Sequence, residues 1–398
     1  MAITDTRTIT VTTAQSPSAP PPGPERHPSP KVALLIACLQ YGGTEIQTLR
    51  TARALISLGY QVRVFCLFDW NEGVRRLFEA AGADVACLEL ENRRNYPAIL
   101  WRLARCLREF APHFAHVQYI APGLLSVVAA RVARVPRLII TIHQLGTPCS
   151  WFEHLLFRTA TRLADLTICV SQAVEKSWFG SGKWRRSLLP SAGHHTVVYN
   201  CVERTSCDGR QPSGNGFTIG YVGRIRTEKG VDILVRAAAW LQEKGHEFQV
   251  VVAGDGPQRE ECQSLAGRLG VADRFVWLGA VPPERLGEIY RSFHVLVAPS
   301  RLEGFGLVAA EAMMHGVPVV AARTGGLPEL VEHEVTGLLF QPDDPEDLAK
   351  AIVRIWRHAE FAADCSARGR AFIAAQMSEG NFRLRIGECY RALQVEAR

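Results

Sequence analysis

The sequence of 398 residues has no apolar run long enough to cross a membrane. Its longest unbroken run, VALLIACL at Val32 to Leu39, has eight residues, whereas a membrane-spanning helix needs about 20. The first 30 residues also lack the apolar core of a signal peptide, so we expect a cytoplasmic protein. They are rich in proline, serine and threonine, which predicts a disordered N-terminal tail over residues 1–30.

Cysteine motifs are missing as well. The chain has 11 cysteines, an odd number, with no C-x-x-C motif and no close pairing with histidines. Free thiols in a reducing compartment therefore explain these cysteines better than disulfides or a structural zinc site.

Charge is divided unevenly along the chain. Residues 31–200 carry 20 Lys and Arg against 11 Asp and Glu, whereas residues 201–398 carry 23 against 26. A basic first half indicates an anionic partner. No nucleic-acid recognition module is present, so we do not expect that partner to be a nucleic acid.

Short β-branched runs alternate with helix-period segments, which is typical of parallel sheets built from βαβ units. The pattern predicts an α/β fold with two Rossmann-like, doubly wound domains that face a cleft. The first domain spans 31–205, a linker rich in Gly, Pro, Ser and Asn spans 206–216, and the second domain spans 217–378. A last helix over 379–398 has no strand after it, which leaves it free to cross back to the first domain.

Two cations lie in the turn after the first strand of the second domain. In YVGRIRTEKGV the strand ends at Gly223, the turn carries Arg224 and Lys229, and a helix begins near Gly230. Cations beside the free amides of a helix start form a natural diphosphate site. The alternative is an ordinary solvated turn, where Arg and Lys are common.

Glycine turns follow two other strands. VVAGDGP places Gly254, Asp255 and Gly256 at the same sheet edge, and YGGTE places Gly42 and Gly43 after the first strand of the first domain. A turn without bulky side chains lets a nucleotide approach the backbone. The alternative is a tight turn that needs glycine only for its positive φ.

Two glutamates stand eight positions apart in SRLEGFGLVAAEAMMHGVPVV. Glu303 lies in a loop after a strand, and Glu311 lies about two turns along the next helix. The amides of Phe305, Gly306 and Leu307 at the helix start would face an anion. Carboxylates accept hydrogen bonds from vicinal hydroxyls, so the stretch suits a sugar and a ribose on either side of a diphosphate. Glu303 is also explained as a helix-start carboxylate.

These stretches resemble the retaining glycosyltransferases of family 4, which have the GT-B fold. The resemblance rests on GRIRTEKG, AGDGP, the E-x7-E spacing of the two glutamates, GGLPELVEHEVTGLLF, and the GGTE loop after the first strand. It covers nearly all of the chain after residue 30 and is stronger in the C-terminal half. It implies an enzyme that moves a sugar from a nucleotide-diphosphate sugar, a UDP- or GDP-sugar, to a hydroxyl acceptor.

The resemblance also implies roles for individual residues. Arg224 and Lys229 hold the donor diphosphate and stabilise the leaving nucleotide. Glu303 binds hydroxyls of the donor sugar, and Glu311 binds the ribose hydroxyls. His143, at the end of RLIITIH, lies near the anomeric carbon, although taken alone it is also explained as a satisfied histidine at a strand end. The predicted catalytic residues are thus His143, Glu303, Arg224 and Lys229. The predicted donor-binding residues are Gly42, Gly43, Gly223, Arg224, Lys229, Gly254, Asp255, Glu303, Gly304, Phe305, Gly306, Leu307 and Glu311.

The implied chemistry needs neither a metal nor a cofactor. A retaining transfer passes through an oxocarbenium-like state, and stabilising the departing diphosphate supplies most of the catalysis. The chain has no D-x-D triplet, the motif of metal-dependent GT-A enzymes. No nucleophilic carboxylate is apparent for the far face of the sugar, so we favour attack by the acceptor hydroxyl on the same face. The alternatives are a non-catalytic nucleotide-sugar-binding or scaffold protein and a nucleotide-sugar epimerase of the same architecture.

The acceptor side is less defined. The helical stretch Tyr96 to Phe110 has one apolar face and a second face carrying Arg102, Arg105 and Arg108, and a further basic cluster surrounds Trp184. Basic and aromatic clusters suit peripheral association with an anionic membrane and a lipid-linked acceptor. The alternative is a solvated helix face. The acceptor stays open among a polyprenyl-diphosphate sugar, a lipid, a polysaccharide and a small molecule.

Overall fold

A computed structural model describes residues 29–90, 95–118, 123–147, 149–180, 195–203 and 216–395. The predicted tail lies outside these residues except for positions 29 and 30. The predicted linker lies outside them except for Gly216, and the basic cluster around Trp184 lies outside them entirely.

The N-terminal domain is built on a parallel sheet. Its described strands, β1 to β7, run over Lys31–Ile36, Gln61–Cys66, Asp84–Cys87, Phe114–Val117, Arg137–Ile142, Leu166–Cys169 and His195–Val197. Its described helices, α1 to α6, run over Gly43–Ser57, Glu72–Ala80, Tyr96–Phe110, Gly123–Val132, Trp151–Leu163 and Gln172–Phe179. The strand order is β3-β2-β1-β4-β5-β6-β7, so the direction of winding reverses between β1 and β4.

The C-terminal domain is built on a second parallel sheet. Its described strands, β8 to β13, run over Phe217–Val222, Phe248–Ala253, Phe275–Gly279, Val295–Ala298, Val319–Ala322 and Leu338–Phe340. The helices that follow, α7 to α14, run over Val231–Glu243, Arg259–Arg268, Pro283–Ser292, Leu307–Met314, Leu327–Leu330, Pro345–Arg357, Ala359–Gln376 and Glu379–Val395. The order β10-β9-β8-β11-β12-β13 reverses between β8 and β11. The predicted architecture of two doubly wound α/β domains is confirmed.

The strands are apolar because helices cover both faces of each sheet. Every residue of β8, FTIGYV, is buried, as expected for a central strand of a parallel sheet. Gly220 within it makes room for Phe293, whose ring atoms would lie 2.1 Å from a Cβ at that position. Open α/β sheets bind ligands where the winding reverses, beyond the carboxyl ends of the strands. The loops after β1, β8 and β11 therefore define the functional edge.

The last helix, α14, packs against α1 of the N-terminal domain. Its Tyr390 is fully buried, with ring centroids 5.4 Å from Tyr60 and 4.9 Å from Phe114. The Tyr390 hydroxyl lies 2.9 Å from Nδ1 of the buried His116. The last described helix thus packs against the domain that contains the first described strand.

Helix α3 follows the amphipathic pattern of its sequence. Ile99, Leu103, Leu107 and Phe110 are buried against the sheet. Within the described ranges, no helix is both long and apolar enough to span a membrane.

Candidate active site

A cleft of about 1200 Å³ lies between the two domains. Residues from the loops after β1, β5, β8, β9 and β11 and from the start of α10 line it together. The structure brings every predicted site residue to this one cleft: Gly42, Gly43, His143, Gly223, Arg224, Lys229, Gly254, Asp255, Glu303, Gly304, Phe305, Gly306, Leu307 and Glu311. Residues more than 250 positions apart in the chain therefore face the same volume.

The turn after β8 presents Lys229 to the cleft. A single 3-10 turn over Thr227–Lys229 ends at Gly230, whose φ is +68°. A Cβ at Gly230 would lie 2.0 Å from the carbonyl oxygen of Pro299, so only glycine fits there. The half-buried Lys229 ammonium then donates to Glu303 Oε2 at 2.8 Å, and Ser300 Oγ donates to the same oxygen at 3.1 Å. The predicted phosphate cation and the predicted sugar carboxylate are thus directly paired.

The loops after β8 and β9 pass close to each other. Gly223 and Gly254 have φ of +139° and +153°, and a Cβ at Gly254 would lie 1.8 Å from the Gly223 carbonyl oxygen. The adjacent Arg224 side chain is exposed and lines the cleft. The Asp255 carboxylate accepts from the Gly256 amide at 2.8 Å and from Arg259 Nη1 at 3.2 Å. Asp255 therefore shapes the turn as well as lining the cleft.

Helix α10 begins at the cleft and carries the second glutamate. Gly306 precedes it with φ of +102°, no side chain caps the helix start, and Gly306, Leu307 and Val308 line the cleft. Glu311 lies about one turn into α10, not the two turns expected from the sequence, because the helix begins only at Leu307. Its Oε2 accepts a hydrogen bond from the Tyr290 hydroxyl at 2.8 Å. Burial raises the pKa of Glu311 above its usual range, and the positive charge of Arg50 and the Tyr290 bond partly offset that rise.

The N-terminal domain supplies the opposite wall. Gly42 precedes α1 in an extended conformation, with φ of −164°. A Cβ at Gly43 would lie 3.0 Å from Leu307 Cδ1, so the first glycine loop and the start of α10 approach each other closely. Burial raises the pKa of Glu45, which follows the two glycines, and the charge of Arg224 across the cleft counteracts the effect. The glycine loop after β1 and the start of α10 thus approach each other across the cleft.

His143 follows β5 and also faces the cleft. Its Nε2 lies 3.3 Å from Gln118 Oε1. Burial lowers the pKa of His143 to about 4, so the imidazole is neutral at physiological pH. A Cβ at Gly304 would lie 2.1 Å from the His143 carbonyl oxygen, so the backbone of this histidine touches the loop that carries Glu303.

Three further residues that contact predicted site residues were missed by sequence reasoning: Ser300, Tyr290 and Gln118. Ser300 lies only three positions before Glu303, and its hydroxyl is the one signal available from sequence. Tyr290 and Gln118 contact partners 21 and 25 positions away. Only the folded chain brings such pairs together.

Among the described residues, five cationic side chains line the cleft: Arg50, Arg53, Arg224, Lys229 and Arg291. Arg224 and Lys229, with the helix start of α10, are the group that the sequence predicts for a diphosphate. In the part of the chain that the structure describes, no three His, Cys, Asp or Glu side chains lie close enough to hold a metal ion.

Both halves of the chain match known families. The profile described as glycosyl transferases group 1 matches residues 208–372, and the profile of glycosyltransferase family 4 matches residues 41–206. A D-inositol 3-phosphate glycosyltransferase of Acidothermus cellulolyticus is 42% identical over 357 residues, which cover 80% of this chain and 79% of that relative. The chain belongs to glycosyltransferase family 4. The family predicted from the motifs is confirmed, and it is a family of transferase enzymes.

Other relatives match over a shorter length. The 2-deoxystreptamine glucosyltransferase of Streptomyces kanamyceticus is 38% identical over 154 residues, which cover 39% of this chain. The chain matches only 37% and 40% of the length of the first two curated relatives. Among solved structures, Anabaena HepE in complex with UDP and glucose superposes with a TM-score of 0.79 at 22% identity, over 91% of this chain and 99% of that one. This similarity confirms the GT-B fold.

Proposed function

We propose that this family 4 protein is a retaining, metal-independent glycosyltransferase that moves a sugar from a nucleotide-diphosphate sugar to a hydroxyl acceptor. The observation that carries the proposal is the Lys229–Glu303 pair at 2.8 Å, set between Arg224 and the start of α10. It joins a cation suited to a diphosphate with a carboxylate suited to sugar hydroxyls. A donor that bridges the two loops would meet both groups at once.

The leaving group is stabilised by fixed charge. As the bond between the anomeric carbon and the diphosphate breaks, negative charge grows on the phosphate oxygen. Arg224, Lys229 and the amides at the start of α10 face that position from the C-terminal domain. Groups that are already oriented need no rearrangement during the reaction, which is why such electrostatic stabilisation is effective. No metal or cofactor takes part in the proposed step.

The acceptor attacks on the face from which the diphosphate leaves. The acceptor oxygen forms a bond to the anomeric carbon, the bond from that carbon to the phosphate oxygen breaks, and the acceptor proton passes to the departing phosphate. His143 supports this geometry, since it is neutral and its backbone touches Gly304 beside Glu303. A neutral imidazole accepts or donates a hydrogen bond near the anomeric carbon without adding positive charge to an oxocarbenium-like state.

The donor is proposed to be a UDP- or GDP-sugar. Glu311 is placed for the ribose hydroxyls, which all such donors share, and the cleft residues named above do not discriminate between the bases. The complex of Anabaena HepE with UDP and glucose supports a uridine donor by analogy of fold alone.

Turnover of candidate donors tests the proposed reaction. UDP- and GDP-sugars are incubated with the protein in EDTA, with and without candidate acceptors, and the anomeric configuration of the product is read by proton NMR. We expect donor consumption in EDTA and retention of configuration. Inversion, or recovery of activity only with an added divalent ion, would contradict the mechanism. Nucleotide binding without any donor turnover, including slow hydrolysis, would favour the scaffold alternative.

The acceptor is proposed to be lipid-linked and reached from the cytoplasmic membrane face. On α3, Trp101 is 63% exposed and lies beside the exposed Arg102, Arg105 and Arg108. The first turn of α5 adds a second exposed apolar group, formed by Trp151, Phe152 and Leu155. Exposed aromatic side chains with arginines beside them suit a membrane surface that carries anionic lipid.

Vesicle sedimentation tests the membrane proposal. We expect the protein to pellet with vesicles of phosphatidylcholine and phosphatidylglycerol and to remain in solution with phosphatidylcholine alone. Trp101→Ala and Trp151→Ala should weaken the association, whereas Leu269→Ala, a change at an exposed apolar residue of the C-terminal domain, serves as the control. Equal behaviour of all three variants would contradict a membrane surface on the N-terminal domain.

A further inference from the structure

Glu329 of the C-terminal domain contacts the N-terminal domain. It lies in the single-turn helix α11 of the C-terminal domain, and its carboxylate accepts two backbone hydrogen bonds from the first turn of α6. Gln172 N donates to Oε2 at 2.9 Å, and Ala173 N donates to Oε1 at 2.7 Å. The Tyr199 hydroxyl donates to Oε2 at 2.9 Å. A carboxylate from one domain thus satisfies amides at a helix start in the other, where the helix dipole favours negative charge.

Ser171 makes a second connection beside the first. Its hydroxyl caps α6 by accepting from Val174 N at 3.1 Å, and it donates to the carbonyl oxygen of Gly304 at 2.6 Å. Ser171 is fully buried. The start of α6 therefore forms hydrogen bonds with Glu329 and with Gly304, which both belong to the C-terminal domain.

Both connections lead to the donor loop, which we define as Glu303 to Phe305. Ser171 bonds that loop directly at Gly304. Glu329 is joined to it through Gly326, whose amide donates to the Glu303 carbonyl oxygen at 3.0 Å. Phe305 also faces Tyr199, with ring centroids 6.1 Å apart. The loop that carries the predicted sugar-binding glutamate is thus fixed to the N-terminal domain by contacts outside the donor site.

The fixed loop is the one that must meet His143. The backbone contact of Gly304 with the His143 carbonyl leaves no space for a side chain, so a small separation of the domains would move Glu303 away from the histidine. Charge-assisted hydrogen bonds at 2.7–2.9 Å are among the stronger polar contacts in proteins. These contacts are therefore suited to holding the two domains in this arrangement.

We propose that Glu329 and Ser171 are positioning residues that hold the donor loop against the N-terminal domain, so that Glu303 and His143 meet the same donor sugar. The contacts of Glu329 and Ser171 do not depend on the proposed function. Their effect on catalysis rests on it. Neither residue touches the donor. Their loss therefore changes the alignment of the reacting groups more than the affinity for the nucleotide.

Hydrogen exchange and kinetics test the inference together. In Glu329→Ala, we expect the amides of Gln172 and Ala173 to exchange faster by about tenfold or more, because their acceptor is gone. The kcat should fall by about tenfold or more, since misalignment of reacting groups is costly. The dissociation constant for the nucleoside diphosphate should change by less than about threefold, because the phosphate and ribose contacts remain. Glu329→Gln keeps one carbonyl oxygen as an acceptor and should give intermediate values.

Glu332→Ala is the matched control, since Glu332 lies three residues further on, is exposed, and makes no side-chain contact to α6 among the described residues. Unchanged exchange at Gln172 and Ala173 in Glu329→Ala would overturn the inference, as would a loss confined to nucleotide affinity. A wild-type protein that turns over no nucleotide sugar would instead overturn the proposed function, and the exchange result would still decide whether the connection exists.

Discussion

Lys229 and Glu303 contact each other although the resemblance assigns them to different parts of the donor. The ion pair is half-buried, and Ser300 donates to the same carboxylate oxygen. Because each side chain restrains the other, both are oriented before a donor arrives. In the proposed reaction, side chains that are already oriented stabilise the developing charge without having to move.

Replacing Lys229 tests the role of this cation. Lys229→Ala should lower kcat by more than about tenfold, because one charge facing the leaving diphosphate is lost. Steady-state donor turnover measures the effect, and circular dichroism checks that the fold is intact. Lys244→Ala is the control, since that ammonium lies over the Trp240 ring at 5.5 Å, at the end of α7. Wild-type turnover in Lys229→Ala would refute the diphosphate assignment.

Glu311 offers a second test at the residue scale. A hydrogen bond to a charged group contributes about 1.5–3 kcal/mol, so UDP or GDP should bind at least about tenfold more tightly than its 2′,3′-dideoxy analogue. In Glu311→Ala that difference should nearly vanish. Calorimetric titration of both nucleotides into both proteins measures it. An undiminished preference for ribose in the variant would mean that another group binds the hydroxyls.

Sequence reasoning predicted which residues line the cleft better than it predicted their partners. Lys229, Glu303 and Glu311 belong to short motifs, and the order of strands and loops brings such motifs to one sheet edge. The bonds from Tyr290 to Glu311 and from Gln118 to His143 join different elements. No spacing in the chain encodes those pairs, because they depend on how the helices and strands pack.

At the scale of elements, α14 returns to the N-terminal domain and ends in its core. The sequence shows a helix with no strand after it, and that feature allowed a return without specifying its contacts. The structure supplies them: Tyr390 fills a buried position between Tyr60 and Phe114, and its hydroxyl meets His116. Tyr390 is one of several buried residues of α14, and the bond from this helix to His116 depends on its hydroxyl.

Tyr390→Phe measures this dependence. The change removes one oxygen and leaves His116 Nδ1 buried without its partner, which should lower the free energy of unfolding by about 1–3 kcal/mol. Urea denaturation followed by circular dichroism measures the loss. Leu384→Ala, at a residue of α14 that is 57% exposed, should change stability by less than about 0.5 kcal/mol. Equal effects of the two changes would argue against a specific role for the tyrosine hydroxyl.

The exact ends of the helices were harder to predict from the sequence than their presence. The predicted helix near Gly230 is preceded by a 3-10 turn over Thr227–Lys229, and α7 begins at Val231. The turn exists because Gly230 adopts a left-handed conformation against Pro299, a contact between two loops of the sheet edge. Local helix propensity cannot predict a contact between two loops that lie far apart in the chain.

At the scale of the whole molecule, folding buries two histidines of the N-terminal domain, His116 in β4 and His143 after β5. Burial lowers the pKa of His143 to about 4 and that of His116 to about 3, with the nearby His143 adding to the shift of His116. Both side chains are neutral in the folded protein, whereas the unfolded chain takes up protons near pH 6.5. Stability that is complete above about pH 6.5 is therefore lost as the pH falls.

The pH dependence of unfolding tests this consequence. Each of the two histidines should contribute a loss of about 2 kcal/mol between pH 7 and pH 5, whereas Glu311, whose pKa burial raises, acts in the opposite direction. His116→Gln should reduce the slope of unfolding free energy against pH, and His358→Gln, at an exposed position, should leave it unchanged. Identical slopes in all three proteins would contradict a buried neutral His116.

The central claim is that the cleft binds a nucleotide-diphosphate sugar through Lys229 and its neighbours, and thermal unfolding with a panel of nucleotides tests it most directly. UDP, GDP, ADP and their common sugar conjugates are added to the wild type and to Lys229→Ala. A ligand at 100 times its dissociation constant stabilises a protein by about 2.7 kcal/mol. We predict selective stabilisation by one nucleotide family, weakened in Lys229→Ala. The absence of stabilisation by every nucleotide in the panel would contradict the claim.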